Sequence, residues 1–144
     1  MSTVFETTLR VRYAETDQMA VVYYANYINW FEVGRTEMLR QMGLTYRQME
    51  EDGLVLPVVE VKCRYKHPAR YDDEITIRTW VVQLRASFMR FQYEVVRKSD
   101  GRLLAEGESV HVVVGRDMKR TRLTGKYLDA LAAVAGVAQP AAKG

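Results

Sequence analysis

Residues 26–43, NYINWFEVGRTEMLRQMG, carry the clearest helical pattern in the chain. At 100° per residue the apolar side chains fall on one arc and the polar ones point the opposite way. This spacing predicts an amphipathic helix with Asn26 as its N-cap and a stop at Gly43. A glycine in the middle of a helix costs about 1 kcal/mol relative to alanine, so we expect a close neighbour at Gly34, such as a sheet wrapped around the helix. The buried arc is predicted to contain Tyr27, Phe31, Gly34, Met38 and Met42.

Apolar and polar residues alternate in the segments around this helix, as in strands with one buried face. One such segment, 4–13, precedes the helix, and a short helix is predicted at 46–51. Hairpin turns are expected at 86–87 and 99–101. In the last segment Glu106 and Glu108 share a parity with several valines, so the register of that strand stays open. The four later strands are predicted near 59–66, 75–81, 89–95 and 103–115.

A chain of 144 residues is expected to form one domain, 1–144. The order of one strand, one helix and four strands with short connections indicates an α+β fold with an antiparallel sheet. One helix is too narrow to cover five strands, so either the sheet curls around it or a second subunit covers the remainder. We therefore predict a homo-oligomer. A short helix from Gly125 and a frayed tail up to Gly144 are expected to end the chain.

Composition limits the functional classes. Cys63, the single cysteine, cannot form an intramolecular disulfide and is predicted to be a core thiol. The first residues lack the pattern of a secretion signal. A cytoplasmic location is therefore expected. The longest nearly apolar stretch, 128–138, is far shorter than the roughly 20 residues that span a bilayer. The net charge of +3 favours anionic ligands without resembling a dedicated nucleic-acid binder. Two histidines and one cysteine, without paired spacing, predict no metal site.

One loop segment carries the candidate chemistry. Asp17 lies in a loop that leads, through the apolar patch 19–22, to the start of the predicted helix. The free N–H groups at a helix start attract negative charge and can hold a carbonyl oxygen while a nucleophile attacks the carbon. A carboxylate beside such donors is the minimum equipment for acyl transfer. The alternative role for Asp17 is to cap a turn or the helix itself.

Residues 10–27, RVRYAETDQMAVVYYANY, are similar to the signature of the 4-hydroxybenzoyl-CoA thioesterase group of hotdog-fold proteins, which includes the bacterial branch associated with the Tol–Pal system. The resemblance extends over about residues 5–122 and includes 31–39 and 68–73. It implies a hotdog fold, with a long central helix wrapped by a curved antiparallel sheet of about five strands. It also implies a homodimer or homotetramer with active sites at the dimer interface. The matching positions are Arg10, Val11, Thr16, Asp17, Ala20, Val21, Val22, Tyr23 and Ala25.

The resemblance implies an acyl-CoA thioesterase that hydrolyses a coenzyme A thioester to acid and thiol with no metal or organic cofactor. Asp17 is then the catalytic carboxylate, acting as nucleophile through a mixed anhydride or as general base on water. The backbone N–H of Tyr24 is the implied oxyanion donor. Many bacterial members carry histidine at this position, and a tyrosine ring with a reference pKa of about 10 cannot replace it as a base. The predicted substrate-binding residues near Asp17 are Val22, Tyr23, Ala25 and Tyr27. Tyr23, Tyr24, Tyr27 and Trp30 are candidates to line the acyl pocket, with a place in the core as the alternative for most of them.

Binding of the coenzyme A phosphates requires basic residues outside the Asp17 loop. Four cations occur within 116–122, and Arg90 lies beside the turn at 86–87. The predicted contacts are Ser87, Arg90, Arg116 and Lys119, with a solvated charged loop as the alternative role for each basic residue. A non-catalytic acyl-CoA-binding or assembly module on the same fold is the alternative function. A hotdog hydratase is disfavoured because no histidine lies between Met1 and Lys66.

Overall fold

The computed structural model describes residues 2–136, and within them five strands and three helices are present. A 3-10 turn at Tyr13–Glu15 follows the first strand. The arrangement confirms the predicted α+β architecture, including the helix from Asn26 and the short helix after it. The elements are β1 (Phe5–Arg10), α1 (Asn26–Gln41), α2 (Tyr46–Glu51), β2 (Val58–Tyr65), β3 (Glu74–Arg85), β4 (Phe88–Arg97), β5 (Leu103–Val112) and α3 (Gly125–Ala135).

The five strands form one antiparallel sheet in the order β1-β3-β4-β5-β2. The connection from β1 to β2 runs from one edge of the sheet to the other, and α1 packs against the inner face on the way. The long strands β3 and β4 lie in the middle and are joined by the tight turn predicted at 86–87. Antiparallel neighbours of this kind can bury one face and leave the other to solvent.

Gly34 confirms the predicted close contact between α1 and the sheet. A Cβ atom added there would lie 2.4 Å from Thr79 Oγ1 and 2.8 Å from Ile77 Cγ2. These distances are shorter than van der Waals contact, so β3 approaches the helix backbone directly. The buried face of α1 also includes Trp30 and Leu39, which widen the predicted arc.

The register of β5 explains why its sequence alternates poorly. Ser109 and His111 are buried on the same side as Gly107, whereas Glu106 and Glu108 are only partly buried. A Cβ atom at Gly107 would lie 2.7 Å from the Phe31 ring, so only a residue without a side chain fits under the helix. Small and polar residues therefore occupy positions where an inward strand face is ordinarily apolar.

The edge strand β2 departs from the prediction that its alternating apolar residues face the core. Val59 is 56% exposed, Val61 40% and Tyr65 48%, and Cys63 is half-buried. Burial raises the pKa of the Cys63 thiol, which is free. The strand alternates as predicted, but the apolar residues next to its free edge are left uncovered within one chain.

The helix predicted after Gly125 is present as α3, which packs on β3 and adds Tyr127, Leu131 and Ala135 to the buried core. The frayed tail predicted after this helix falls at 137–144, outside the described residues. Within the part of the chain that the structure describes, no helix is long and apolar enough to cross a membrane.

Candidate active site

A cleft of about 280 Å³ opens where three segments meet: the loop before α1, the start of α1 and the end of β2. Its walls are mainly apolar and aromatic, with one carboxylate and two basic residues. The lining residues are Asp17, Met19, Val21, Val22, Tyr24, Tyr27, Tyr65, Lys66, His67 and Pro68.

The loop holds Asp17 through a tight turn. The Asp17 N–H donates to the Val21 carbonyl at 2.9 Å, and Thr16 bridges to Val22. The Met19 N–H donates to Asp17 Oδ1 at 2.8 Å. Within residues 2–136, Oδ2 accepts no hydrogen bond. One carboxylate oxygen therefore closes the turn, as the alternative role for Asp17 expects, and the other stays free; the catalytic role of Asp17 stays a prediction.

The start of α1 is uncapped, which corrects the prediction for Asn26. Ala25 is the N-cap and supplies no side-chain hydrogen bond, whereas Asn26 is the first helical residue and its Nδ2 donates to the Glu15 carbonyl at 2.9 Å. Among the described residues, the N–H groups of Tyr24 and Ala25 meet no acceptor. Unpaired N–H groups at the positive end of a 16-residue helix can stabilise a developing negative charge.

Glu15 ties the loop to α1 and was not identified from sequence. The residue is 8% exposed. Oε1 accepts from the Arg12 N–H at 2.8 Å, and Oε2 accepts from Trp30 Nε1 at 3.0 Å. The Glu15 carbonyl also accepts from the Tyr23 N–H at 2.9 Å. A buried carboxylate with two donors is a rigid anchor, but a glutamate before Thr16 has no sequence signal that marks it as one.

The end of β2 is joined to the same region by hydrogen bonds between distant residues. The Tyr65 hydroxyl donates to the Tyr24 carbonyl at 3.0 Å, and the Ala69 N–H donates to the Tyr27 hydroxyl at 3.0 Å. The Val22 N–H donates to the Ala69 carbonyl at 2.9 Å. These bonds bring Lys66 and His67 into the cleft. Sequence reasoning missed them because it looked for a histidine only before Lys66, although the family resemblance continues into 68–73.

Of the six predicted catalytic and substrate-binding residues near the start of α1, four line the cleft and two lie beside it. Tyr23 and Ala25 lie next to the cleft without lining it, and the Tyr23 ring packs on the Tyr24 ring at 4.6 Å between centroids. The hydrogen bond to Tyr24 raises the pKa of Tyr23, and burial raises the pKa of Tyr27. The four that line the cleft are Asp17, Val22, Tyr24 and Tyr27.

The predicted phosphate contacts lie apart from this cleft. Arg120 Nη2 donates to the carbonyl and the hydroxyl oxygens of Ser87, both at 3.2 Å. With Thr121 and Arg122 these residues line a polar depression of about 330 Å³. The predicted contact Lys119 is exposed in the turn after β5.

Two predicted phosphate contacts are engaged elsewhere. Arg90 lies on the face of β4 opposite Met89 and Phe91 and forms an ion pair with Glu108. Arg116 donates to the Glu51 carbonyl at the end of α2. The alternation of β4 places Arg90 on the face that α1 does not cover, and both guanidinium groups have acceptors within the fold. Their contact with the coenzyme A phosphates stays a prediction.

The cleft and the polar depression lie at opposite ends of the sheet. The cleft is next to the start of β3, where the Val11 N–H donates to the Asp73 carbonyl at 2.9 Å. Strand β3 is 12 residues long, and Ser87 lies just beyond its other end. At about 3.3 Å per residue the two ends are roughly 35 Å apart. Within the described residues, no cluster of potential metal ligands is present at either end.

Comparisons with known proteins agree with this architecture. The Thioesterase-like superfamily profile matches residues 11–134. The chain is 36% identical over 114 residues to YneP of Bacillus subtilis, covering 79% of this chain and 82% of that protein. It is 33% identical over 113 residues to the acyl-CoA thioester hydrolase YbgC of Escherichia coli, covering 78% and 84%. The DHNA-CoA thioesterase from Staphylococcus aureus has a TM-score of 0.83 at 31% identity, covering 88% and 85%.

A curved five-stranded antiparallel sheet around one long helix, with a carboxylate loop at the helix start, defines a thioester hydrolase of the hotdog fold. The resemblance drawn from residues 10–27 is thereby confirmed. The chain belongs to the Thioesterase-like superfamily.

Proposed function

We propose that this protein hydrolyses acyl-CoA thioesters in the Asp17 cleft and releases a free acid and coenzyme A. The observation that carries the proposal is the free Oδ2 of Asp17 in the same cleft as the uncapped start of α1. The names of YbgC and of the Staphylococcus aureus thioesterase support a coenzyme A thioester as the substrate class. A cytoplasmic location remains a prediction, which cell fractionation tests.

The chemistry follows from these two features. The thioester carbonyl oxygen accepts a hydrogen bond from the Tyr24 N–H, which stabilises the negative charge that develops during attack. Asp17 either attacks the carbonyl carbon or removes a proton from the attacking water. Because a thiolate departs with little need for protonation, one carboxylate and backbone donors are sufficient.

The test is thiol release from a panel of short, long and aromatic acyl-CoAs. Asp17→Asn keeps an oxygen that accepts the Met19 N–H and removes the charge, so we expect it to lose two or more orders of magnitude in rate, roughly 3 kcal/mol of barrier. Asp129→Asn, at an exposed position on α3, is the matched control. If the native chain binds acyl-CoA without releasing thiol, the non-catalytic binding module replaces the enzyme.

A homodimer through the β2 edge would complete the site. Two β2 strands paired antiparallel around a two-fold axis place the Ser87 end of one sheet beside the Asp17 end of the other. The Arg120 depression of one subunit then offers cations to the coenzyme A phosphates while the acyl group occupies the other subunit's cleft. The exposed valines of β2 support this arrangement, since an uncovered apolar edge favours pairing.

Sedimentation tests the dimer. Val61 lies on the β2 edge and is 40% exposed, whereas Val4, just before β1 at the opposite edge, is 50% exposed. We expect Val61→Lys to convert the protein to a monomer with strongly reduced thiol release, and Val4→Lys to leave the assembly intact. A native chain that sediments only as a monomer at micromolar concentration contradicts the proposal, and a tetramer extends it.

A further inference from the structure

His67 lies in the cleft with Asp17, and its ring takes no part in holding the fold together. Its side chain is exposed, and within residues 2–136 the ring has no hydrogen bond or ion pair. The second histidine of the chain, His111, is different. It is fully buried, and its two ring nitrogens lie 2.8 Å from Ser109 Oγ and 3.1 Å from the Leu56 carbonyl. His111 is thus a structural residue, whereas the His67 ring is free for chemistry.

The backbone around His67 is held firmly. The His67 N–H donates to the Leu104 carbonyl at 3.1 Å, and the carbonyl of Pro68 accepts from Arg97 Nη2 at 3.0 Å. The bonds from Tyr65 and Ala69 to the start of α1 lie two residues away on either side. A side chain on such a segment is positioned over the cleft without a loop rearrangement.

If Asp17 is the nucleophile, the reaction needs another group as its general base. When an Asp17 oxygen bonds to the thioester carbon, the C–S bond breaks, the coenzyme A thiolate leaves, and the carboxylate is consumed in a mixed anhydride. The water that cleaves the anhydride must then give its proton to another group.

The remaining titratable groups that face the cleft leave one candidate. Phenols are ordinarily protonated near neutral pH, and burial raises the pKa of Tyr27 and Tyr65 further. Lys66 Nζ forms an ion pair with Glu106 at 3.4 Å. Arg97, which reaches Pro68, is a permanent cation. Imidazole is the side chain that ordinarily exchanges a proton near neutral pH.

We infer that His67 is the general base of the second half-reaction, an inference that rests on the proposed thioester hydrolysis. Water attacks the acyl carbonyl carbon of the anhydride while its proton passes to a ring nitrogen of His67. The C–O bond to Asp17 then breaks, which restores the Asp17 carboxylate and releases the product as a carboxylic acid that keeps the second proton of the water and later gives it to solvent. The proton on His67 passes to the coenzyme A thiolate or to solvent, so one water is consumed for each acid and thiol formed.

The test combines rapid-mixing thiol release with His67→Gln, and Arg47→Gln, at an exposed position on α2 away from the cleft and from β2, is the control. We expect His67→Gln to release about one thiol per site in a burst and then to turn over roughly 10²-fold more slowly than the native chain. An acylated protein should accumulate and be visible in the intact mass. The rise of kcat with pH should disappear, and added imidazole should restore turnover to His67→Ala.

The outcomes separate this inference from the function it rests on. His67 is not the base if His67→Gln keeps the native kcat and pH profile. It is also not the base if His67→Gln loses both the burst and turnover and imidazole does not restore turnover to His67→Ala. If the native chain releases no thiol from any substrate, the proposed function itself fails. A native chain that turns over, an inactive Asp17→Asn and an unaffected His67→Gln leave Asp17 as the base of a one-step hydrolysis.

Discussion

Replacing Glu15 by glutamine should loosen the loop that carries Asp17 while changing the size of one side chain very little. Glu15 is 8% exposed, and its two oxygens accept from the Arg12 N–H at 2.8 Å and from Trp30 Nε1 at 3.0 Å. Glutamine offers one acceptor oxygen, so one of these two donors must face an NH₂ group. Little solvent reaches the site to compensate.

The size of the effect follows from these two bonds. A hydrogen bond to a charged group contributes about 1.5–3 kcal/mol, and a buried donor left without an acceptor costs a similar amount. The exposed Arg12 guanidinium, 3.7 Å from Oε1, adds little. We expect Glu15→Gln to lower the free energy of unfolding by about 3 kcal/mol. We also expect kcat to fall about tenfold, because Asp17 follows Glu15 by two residues and its position loosens.

Urea unfolding followed by circular dichroism measures the stability, and thiol release measures the rate. Glu50→Gln, at an exposed position on α2, is the control and should stay within about 0.5 kcal/mol of the native chain. Trp30→Phe removes one of the two donors, so Glu15→Gln should cost about 1–2 kcal/mol less in that background. An unchanged stability of Glu15→Gln, or an equal cost in both backgrounds, would refute the role assigned to Glu15.

Two further predictions concern the core. Gly34→Ala should destabilise the protein by about 1–2 kcal/mol despite the gain in helix propensity, because the new Cβ would lie 2.4 Å from Thr79 Oγ1. The loss should be smaller in a Thr79→Ala background. A Gly34→Ala chain that resists denaturant better than the native one contradicts this contact. Burial, assisted by the positive charge of Arg35, lowers the pKa of His111 to about 4. In the unfolded chain the histidine pKa is near 6.5, so the ring binds a proton as the pH falls below that value, whereas His111 in the native chain stays neutral. Lowering the pH from 8 to 5 should therefore reduce the free energy of unfolding by about 2 kcal/mol through His111. Unfolding of native and His111→Gln chains at both pH values checks this, and an equal loss in both would disprove it.

Much of the fold could be predicted because its information is local. The period of the apolar residues marked α1, alternation marked the strands, and Gly34 indicated that a sheet would touch the helix. The loop with Asp17 was identified by its resemblance to a family signature, and the family is confirmed. These features depend on residues close together in the chain.

Other features failed because they depend on pairing between distant segments. Alternation could not set the register of β5, since Gly107 is required by the Phe31 ring on another element. The Asn26 side chain donates to the Glu15 carbonyl instead of capping the helix. Each outcome was decided by a partner that the local pattern does not show.

The sequence by itself therefore determined the elements, their order and the loop that holds the candidate carboxylate. Only the tertiary structure decided which groups share the cleft with it. His67 lines the same cleft as Asp17, 50 positions earlier in the chain, because hydrogen bonds such as that from the Tyr65 hydroxyl to the Tyr24 carbonyl join the end of β2 to the start of α1. Side-chain periodicity is a property of neighbouring residues, whereas a site made of distant residues depends on hydrogen bonds and packing that exist only after the chain has closed on itself.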